Sequence, residues 1–593
     1  MGFVARTINC GAVRLQHVGS SVSLTGWAHK VRDLGGVLFV DLRDRTGLVQ
    51  LTIDPSAFPD LAGIRPECCL SVTGHVRERA EGVKNFRIPT GEIEIIVESF
   101  ELLGSSKPLP FPVSDEEQMS SVNEELRVRY RYLDLRRPTM YHRLAVRAAV
   151  TRRMRAHLDA KEFIETETPI ITKSTPEGAR DYVVAYRLQP GLWYALPQSP
   201  QQYKQLLMVA GIERYYQVAK CFRDESMRAD RQPEFTQLDI EMSFVQSEDV
   251  LQLAEGLATE VINGTIEEFG LDKEPVGPFE RITYQEAMEF YGCDKPDLRF
   301  GLKLFNCGEV LANTSFGVFK GTLEQGGVVR GVRYPAGGSL SRKDLGALEE
   351  LCKEFGAKGM ATLIVGPTHE ENRGSIAKFL TPAEVAGIRK LSEADEGDLL
   401  CFIASDYQTS CDVLYRLRLE IGDRLNLRDP RILKYIWVVD FPLVEWSAEG
   451  QRWSAVHHPF TSPKEEDLAL LDSKPGKARA NAYDMVCNGY ECAGGSIRIH
   501  RPEVQQRMFS LLGIDEATQK GQFGHLLEAF SYGAPPHGGI AFGLDRAIML
   551  LTDTDNIREV IPFPKMGNGI DPMMDAPSAI DPQQWAELGL RIS

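Results

Sequence analysis

The chain has 593 residues, of which 43% are hydrophobic and 25% are charged, and its formal net charge is −16. These proportions are typical of globular proteins and exclude a disordered or fibrous chain, and the length predicts several domains. No apolar run approaches the ~18 residues that a transmembrane helix needs, and the first residues lack the apolar core of a signal peptide. We therefore expect a cytoplasmic protein that does not contact a membrane.

The eleven cysteines include no CxxC pair. An odd number of cysteines in a chain of this length does not indicate a disulfide framework, and the lack of a CxxC pair argues against structural zinc. We expect buried or surface thiols and no zinc.

Residues 1–105 contain short runs of alternating apolar and polar residues, separated by turn signals such as Gly35-Gly36. This pattern is typical of β-strands. The predicted strands are 22–31, 37–42, 48–53, 70–78 and 93–98. Five short strands of this kind fit a small closed barrel such as an OB-fold, although an SH3-like barrel would give the same pattern.

The segment 104–113 contains three prolines and is predicted to be a linker. A helix follows and is predicted to end near Lys161. Its apolar face is predicted to consist of Leu144, Ala148, Met154 and Leu158. β-branched residues then lead to Pro169, which favours a strand that stops there.

The stretch 121–160 is basic although the whole chain is acidic, since it contains ten arginines against four acidic residues. Most runs of this kind form the solvated face of a helix. The alternative is a surface that contacts phosphate groups.

Further along, 194–245 and 431–565 are predicted to form a mixed sheet with long helices. The region between them, 298–415, is rich in glycine and has its own order of strand, helix (342–355) and strand (360–365). This indicates an inserted domain. The tail after Pro564 is predicted to be irregular.

The densest chemical signal lies at 221–241, where two strands joined by a polar loop are predicted. Arg223 and Glu225 are two residues apart and would point to one face. Arginine binds phosphate through two parallel charged hydrogen bonds, so this pair is suited to hold a triphosphate with its base or metal. An ordinary surface strand can carry the same residues.

A second signal lies at 538–546, where two glycines precede a strand and Arg546 lies at the start of the next helix. An arginine beside the free backbone amides of a helix N-terminus is suited to an anion. A strand–helix turn with a surface arginine is the alternative.

In this order, the two signals resemble motifs 2 and 3 of the class II aminoacyl-tRNA synthetases, and the helix and strand before Pro169 resemble motif 1. Within that class the chain resembles the bacterial-type aspartyl-tRNA synthetases, and its inserted segment resembles their GAD domain. The closer resemblance rests on Phe222-Arg223-Asp224-Glu225, 228–241, 198–201, 457–461 and 489–491. The chain departs from the family pattern at Ala493, where glycine is usual, and at 566–569.

The resemblance implies a multidomain α+β protein with an N-terminal OB-fold β-barrel, a class II catalytic core on an antiparallel sheet, and an inserted α+β GAD domain. The implied divisions are 1–105 (anticodon-binding domain), 106–138 (linker or hinge), 139–297 (first part of the catalytic domain), 298–415 (GAD-like domain), 416–565 (second part of the catalytic domain) and 566–593 (C-terminal extension). A homodimer through the motif 1 region is also implied.

The implied activity is that of an aspartate–tRNA ligase. The α-carboxylate of L-aspartate attacks the α-phosphate of ATP to give aspartyl-adenylate and pyrophosphate, and the aspartyl group then passes to the 3′ end of tRNA-Asp. Such chemistry depends on positioning and charge neutralisation and needs no protein nucleophile. The implied cofactor is Mg²⁺ held by Asp484 and Glu491, because Mg²⁺ sites use one or two carboxylates plus substrate phosphates.

The implied catalytic residues are Arg223 at the α-phosphate, Glu225 at the adenosine, and Arg546 at the γ-phosphate. The implied ATP site consists of Arg223, Asp224, Glu225, Gln232, Glu491, Gly543, Leu544, Asp545 and Arg546.

The implied aspartate site consists of Glu177, Ser199, Gln201, Lys204, Arg223, Asp239, His457 and Arg498. Arg498 and Lys204 would bind the substrate side chain, and Asp239 would bind its ammonium group. Asparagine would leave buried cations unpaired, so this pocket favours aspartate. The segment that begins at Glu177 resembles the mobile loop that closes over aspartate in the family.

The barrel is implied to bind the anticodon through Arg32, Asp33, Leu34, Phe39 and Gln50. Single-stranded bases are recognised by stacking and by edge contacts, which suits a phenylalanine beside a glutamine. Leu34 resembles forms restricted to tRNA-Asp, whereas forms that also charge tRNA-Asn tend to have histidine there. The sequence therefore predicts a discriminating enzyme, with salt-dependent tRNA binding partly on the arginines of 121–160.

Several alternatives remain. A non-discriminating enzyme would also charge tRNA-Asn. An asparaginyl- or lysyl-tRNA synthetase is disfavoured by the GAD-like insertion and by 198–204, and an amide-forming synthetase on the same catalytic fold would not need the barrel. A non-catalytic tRNA-binding paralogue is disfavoured because the implied phosphate and metal residues are all present.

Overall fold

The computed structural model describes residues 4–58, 63–174 and 178–590. The chain forms two compact units. The first consists of Met1–Tyr141 with Asp571–Ala576, and the second of His142–Ile570 with Pro577–Ser593. Each unit has its own hydrophobic core.

The first unit contains a closed five-stranded barrel in the order β1-β2-β3-β5-β4. Its strands are Ser21–Leu34 (β1), Val37–Asp44 (β2), Gly47–Ile53 (β3), Cys69–Glu78 (β4) and Ile93–Gly104 (β5). Alternate residues such as Leu24, Val40 and Leu51 fill the interior and are fully buried. The prediction of a small closed barrel is confirmed, and each strand includes the segment predicted for it.

The segment predicted as a linker contains three short helices. They are Glu116–Met119 (α1), Glu124–Arg129 (α2) and Arg131–Asp134 (α3). Phe111, Val113 and Met119 form a small buried cluster beside them. The prolines gave no sign of this cluster, because its apolar residues lie partly within the proline-rich stretch and partly in the helices after it.

The second unit is built on a sheet of eight strands, to which helices and smaller sheets are added. Its strands are Ile164–Glu165 (β6), Val183–Ala185 (β7), Trp193–Ala195 (β8), Arg214–Phe222 (β9), Glu234–Ser243 (β10), Glu280–Thr283 (β11), Phe305–Asn306 (β12), Val328–Tyr334 (β13), Ala361–Ile364 (β14), Leu399–Ser405 (β15), Tyr435–Val439 (β16), Val444–Ser447 (β17), Arg452–Ala455 (β18), Ala482–Cys487 (β19), Tyr490–Ile497 (β20) and His537–Gly543 (β21). Its helices are Pro138–Asp159 (α4), Gln201–Val209 (α5), Ser247–Phe269 (α6), Tyr284–Tyr291 (α7), Gly317–Glu324 (α8), Arg342–Glu354 (α9), Pro382–Ser392 (α10), Tyr407–Arg424 (α11), Leu470–Ser473 (α12), Pro502–Leu511 (α13), Glu516–Phe530 (α14), Leu544–Leu551 (α15) and Pro582–Glu587 (α16).

The strand order of the large sheet is β11-β16-β19-β20-β21-β10-β9-β6. All pairings inside it are antiparallel, and only the two edge strands, β11 and β6, pair in parallel. The predicted antiparallel core is therefore confirmed. β6, which ends the motif 1 region, is only two residues long.

The buried face of α4 differs from the predicted one. Val146, Val150, Met154 and Leu158, at intervals of four residues, are buried in the main core. Ala148 is exposed and Leu144 only half-buried. The prediction was wrong at Ala148, because a residue two positions from Val146 and Val150 lies on the opposite side of a helix.

The arginines of 121–160 mostly contact carboxylates of their own unit. Nine of the ten lie within 4.0 Å of a carboxylate oxygen: Arg127, Arg131, Arg136, Arg137, Arg143, Arg147, Arg152, Arg153 and Arg155. Arg131 and its partner Asp134 are almost completely buried. Internal pairing accounts for this basic stretch better than either a solvated helix face or a free phosphate surface.

The inserted region has a four-stranded sheet in the order β12-β13-β15-β14. The predicted helix 342–355 and strand 360–365 correspond to α9 and β14. α11 packs on β13 and β15 and runs across position 415. The boundary predicted there falls inside a continuous helix, and the domain division itself stays a prediction.

No helix among the described residues is long and apolar enough to cross a membrane. All eleven cysteines are free thiols.

Candidate active site

A cavity of about 400 Å³ lies against the large sheet. It is lined by seven of the residues predicted to bind aspartate: Ser199, Gln201, Lys204, Arg223, Asp239, His457 and Arg498. Five of them lie on α5, on β10 or directly after β9 and β20, and Ser199 and His457 lie in the loops before α5 and after β18. The sheet thus brings together residues that are far apart in sequence. The eighth, Glu177, lies outside the described residues.

The floor of this cavity is a buried cluster of two cations and two carboxylates. Lys204 pairs with Asp239, and its Nζ lies 3.2 Å from Glu241 Oε2. Arg498 donates from Nε to Glu241 Oε1 at 2.9 Å and from its NH2 nitrogen to Oε2 at 3.1 Å. None of the four side chains is more than 3% exposed.

Glu241 was missed by the sequence analysis. It follows Asp239 by two positions on β10, so both carboxylates lie on the same face of the strand. This period of two was the signal that could have found it. Glu241 fixes the orientation of Arg498 by holding one edge of its guanidinium group.

The pKa of Asp239 is raised, whereas the pKa of Glu241 is lowered. Burial raises the pKa of Asp239, and Lys204 only partly opposes this. Burial acts in the same sense on Glu241, but Arg498 and Lys204 lower its pKa to about 2. Asp239 Oδ2 is buried without a hydrogen-bond partner in the described part of the chain. A buried acceptor with a free lone pair is suited to an ammonium donor.

Arg498 makes two further contacts. Its NH1 nitrogen donates to Ser496 Oγ at 2.7 Å and lies 2.8 Å from His458 Nε2. Burial and the positive charge of Arg498 hold the pKa of His458 well below its usual range, so the ring is neutral. Neither Ser496 nor His458 was predicted.

Seven of the nine predicted ATP residues line a second cavity that shares Arg223 and Glu491 with the first. The predicted residues at its wall are Arg223, Glu225, Gln232, Glu491, Gly543, Asp545 and Arg546. Leu544 instead lies in the hydrophobic core, and Asp224 is exposed, with its backbone amide donating to Arg180 O at 3.0 Å. The structure does not place these two side chains at the cavity wall.

Two of the residues at this wall use their polar atoms inside the protein. The side chain of Gln232 binds both backbone groups of Lys565, at 3.0 and 2.8 Å. Asp545 accepts a bond from the Thr236 amide at 3.0 Å and pairs with Arg147. These contacts join the ends of β10 and α15, which positions the cavity wall.

Asp484 and Glu491 converge over Gly494, on the neighbouring strands β19 and β20. A Cβ atom at Gly494 would lie 2.8 Å from Asp484 Oδ1 and 3.3 Å from Glu491 Oε1. Any larger residue would therefore fill the space between the two carboxylates. Ala493, the departure from the family pattern, is buried on the core side and leaves this space open.

The two carboxylates have opposite pKa shifts. Burial and the charge of Glu491 raise the pKa of Asp484. Burial also acts to raise that of Glu491, but Lys295 and Arg546 lower its pKa to about 2. No group of three or more His, Cys, Asp or Glu side chains within 4–58, 63–174 and 178–590 is arranged to hold a metal. A cation here would take its other ligands from substrate phosphates or water.

In the first unit, the predicted anticodon residues lie around the β1–β2–β3 surface. Arg32 lies opposite Phe39, and Gln50 lies opposite Asp41, so all four share the outer face of the barrel. Arg32 donates to Asp41 Oδ1 at 2.7 Å. At the β1–β2 turn, Asp33 accepts a long bond of 3.4 Å from the Gly36 amide, and Leu34 is 63% exposed.

Comparison with known proteins matches family models to both units. Residues 123–567 match the family model of class II tRNA synthetases (D, K and N), and residues 22–103 match the model of the OB-fold nucleic acid binding domain. The OB-fold prediction is confirmed, and the SH3-like alternative is excluded. The chain belongs to the class II aminoacyl-tRNA synthetases.

The similar curated proteins cover the chain almost completely. The aspartate–tRNA(Asp/Asn) ligase of Moorella thermoacetica is 51% identical over 99% of this chain and 96% of its own. The aspartate–tRNA ligase of Ruminiclostridium cellulolyticum is 48% identical over 99% and 98%. Asparaginyl-tRNA synthetase from Pyrococcus horikoshii, solved with asparaginyl-adenylate, has a TM-score of 0.59 at 19% identity and covers 94% of this chain and 97% of its own. This last similarity supports the fold alone.

Proposed function

We propose that the chain activates L-aspartate with ATP and transfers it to tRNA-Asp. The observation that carries the proposal is the buried cluster of Arg498, Lys204 and Asp239. It offers two cations to a side-chain carboxylate and one unpaired carboxylate oxygen to an ammonium group. Relatives named as aspartate–tRNA ligases, about half identical over their full length, support the same substrate.

Two arginines would stabilise phosphate charge in the first step, the formation of aspartyl-adenylate. Arg223 lies between the two cavities and would neutralise the α-phosphate while the aspartate carboxylate attacks it. Arg546 donates to Glu491 O at 2.7 Å, which orients its guanidinium group at the wall where the terminal phosphates would leave as pyrophosphate. No side chain has to act as a nucleophile.

Asp484 and Glu491 fit a Mg²⁺ ion that arrives with ATP, because their oxygens meet over a glycine that leaves room between them. Such an ion would neutralise phosphate charge during attack. The protein contributes the two carboxylates and their fixed geometry.

The test is aminoacylation with labelled aspartate, using tRNA-Asp and tRNA-Asn transcripts in parallel at one salt concentration. We expect charging of tRNA-Asp and ATP–pyrophosphate exchange that depends on aspartate. Arg546→Ala should lose exchange while tRNA binding persists. Absence of exchange in the wild-type protein would contradict the proposal and favour a non-catalytic tRNA-binding protein.

A second candidate is charging of tRNA-Asn as well. Several similar proteins, including those of Moorella thermoacetica and Caldanaerobacter subterraneus, are named for both tRNAs, whereas Leu34 predicts restriction to tRNA-Asp. The same assay decides, since comparable charging of both transcripts would select the non-discriminating form.

We also propose a cytoplasmic homodimer that uses the motif 1 region. The edge strand β6 and the segment after it carry the exposed apolar residues Ile164, Ile170 and Ile171. An apolar edge strand favours pairing with another chain. Sedimentation at micromolar concentration should show a dimer, and a single 66.2 kDa species would contradict the proposal.

A further inference from the structure

Lys295 is directed at the pair of carboxylates assigned above to the metal. Its Nζ lies 2.8 Å from Glu491 Oε2 and 3.7 Å from Asp294 Oδ2. Its side chain lines the same cavity as Asp484, Gly494 and Arg498 and is 33% exposed. None of the roles assigned so far uses this residue.

Asp484 and Glu491 need a positive charge near them. Two buried carboxylates side by side repel each other, and one of them takes up a proton unless a cation compensates. His457 Nε2 lies 3.7 Å from Asp484 Oδ1, which is too far for a hydrogen bond. Among the ion pairs of the described residues, the ammonium group of Lys295 is therefore the full positive charge in direct contact with Glu491.

The backbone of Lys295 is fixed from both sides. Its amide donates to Cys293 Sγ at 3.2 Å, and Pro296 restricts the conformation of the residue before it. The next residue, Asp297, is fully buried, and its carboxylate binds Arg299 at 2.6 Å and Arg428 at 3.2 Å. These contacts join the chain just before the inserted region to Arg428, which follows α11.

The base of the inserted region is fixed by a second arginine. Arg418, on α11, is fully buried and donates to the carbonyl oxygens of Asp297 and Phe300, both at 2.9 Å. The segment that carries Lys295 is thus held in place by the inserted region, and its ammonium group is presented to Glu491 at low entropic cost.

We propose that Lys295 is the resident counter-cation of the Asp484–Glu491 pair and that its ammonium group leaves Glu491 when a divalent metal binds there. The proposal rests on the proposed function, which assigns the metal to this pair. Lysine and metal compete for the same oxygens, so the free protein binds metal weakly. The released ammonium group then remains in the aspartate cavity, which shares Arg223 and Glu491 with the ATP cavity.

The experiment is a titration of the full-length protein with Mn²⁺ alone, followed by electron paramagnetic resonance of the free ion and without ATP, aspartate or tRNA. We expect Lys295→Met to lower the dissociation constant for Mn²⁺ about fivefold, the order of one screened ion pair. Lys295→Gln should do the same, which guards against a folding defect in one variant. Lys295→Arg keeps the charge and should stay within about twofold of wild type.

Two further variants separate a failure of the role proposed for Lys295 from a failure of the metal assignment. Lys434→Met removes a lysine with the same 33% exposure that pairs with Glu280, and it should not change Mn²⁺ binding. Asp484→Asn should abolish the Mn²⁺ site. Unchanged or weaker Mn²⁺ binding in both uncharged Lys295 variants would overturn the role of Lys295 alone. Unchanged Mn²⁺ binding in Asp484→Asn would overturn the metal assignment, and this inference with it.

Discussion

The Arg32–Asp41 pair on the barrel face is partly exposed to solvent, whereas the charged residues of the aspartate cavity are buried. Arg32 and Asp41 on the barrel are 45% and 20% exposed. Arg498 and Glu241 in the cavity are 3% and 0% exposed. Exposed pairs contribute roughly 0–1 kcal/mol to folding, but removing one partner of a buried pair costs about 3–5 kcal/mol. Amino-acid recognition is therefore tied to the stability of the catalytic unit, while the barrel face can change with little effect on folding.

Glu241→Ala should have the largest effect. It leaves the buried Arg498 without its bidentate partner, so we expect the free energy of unfolding of the catalytic unit to fall by about 3–5 kcal/mol. Aspartate-dependent exchange should also be lost, because the guanidinium group is no longer oriented. Urea denaturation and exchange assays measure the two effects.

The matched control is Asp41→Ala, which removes one partner of the exposed pair on the barrel. It should lower the free energy of unfolding by less than about 1 kcal/mol and leave exchange intact. Equal destabilisation by the two substitutions would break the contrast between the buried and the exposed pairs.

The same contrast predicts a pH dependence. The folded pKa of Glu241, about 2, lies below its ordinary value of 4.5. Its stabilising contribution is therefore complete above pH 4.5 and is lost as the pH falls toward 2. The difference in unfolding free energy between wild type and Glu241→Gln should shrink as the pH is lowered from 5 to 3. A constant difference over that range would contradict the charged, paired state of Glu241.

Local patterns predicted much of the fold. Alternation of apolar and polar residues gave the barrel strands, and the change from glycines to an apolar repeat gave β21 and α15 at nearly the observed positions. The linker helices were missed because the prolines were given more weight than the apolar residues around them. The face of α4 was misassigned because the interval of four residues from Val146 to Leu158 was not followed along the whole helix.

Only part of the active site could be predicted from the sequence. The family resemblance supplied Lys204, Asp239 and Arg498, which do line one cavity. It did not supply Glu241 or Lys295, whose importance comes from distances of 2.8–3.2 Å. The spacing of two from Asp239 could have indicated Glu241, but no spacing indicates Lys295. Counter-charges to substrate-binding residues are therefore the part of a buried site that a structure adds.

Of these substitutions, Leu34→His should have the smallest effect on folding. Its measurable effect should be on the choice of tRNA. Leu34 is 63% exposed, so the substitution should change the free energy of unfolding by less than about 0.5 kcal/mol. We expect the ratio of tRNA-Asn to tRNA-Asp charging to rise about tenfold, which is ~1.4 kcal/mol. Val18→His is the control, because Val18 is 44% exposed and precedes β1, whereas Leu34 ends that strand. Comparable charging of both tRNAs by the wild-type protein would contradict the role given to Leu34. An equal shift in the control would also contradict it, because the effect would then not depend on position 34.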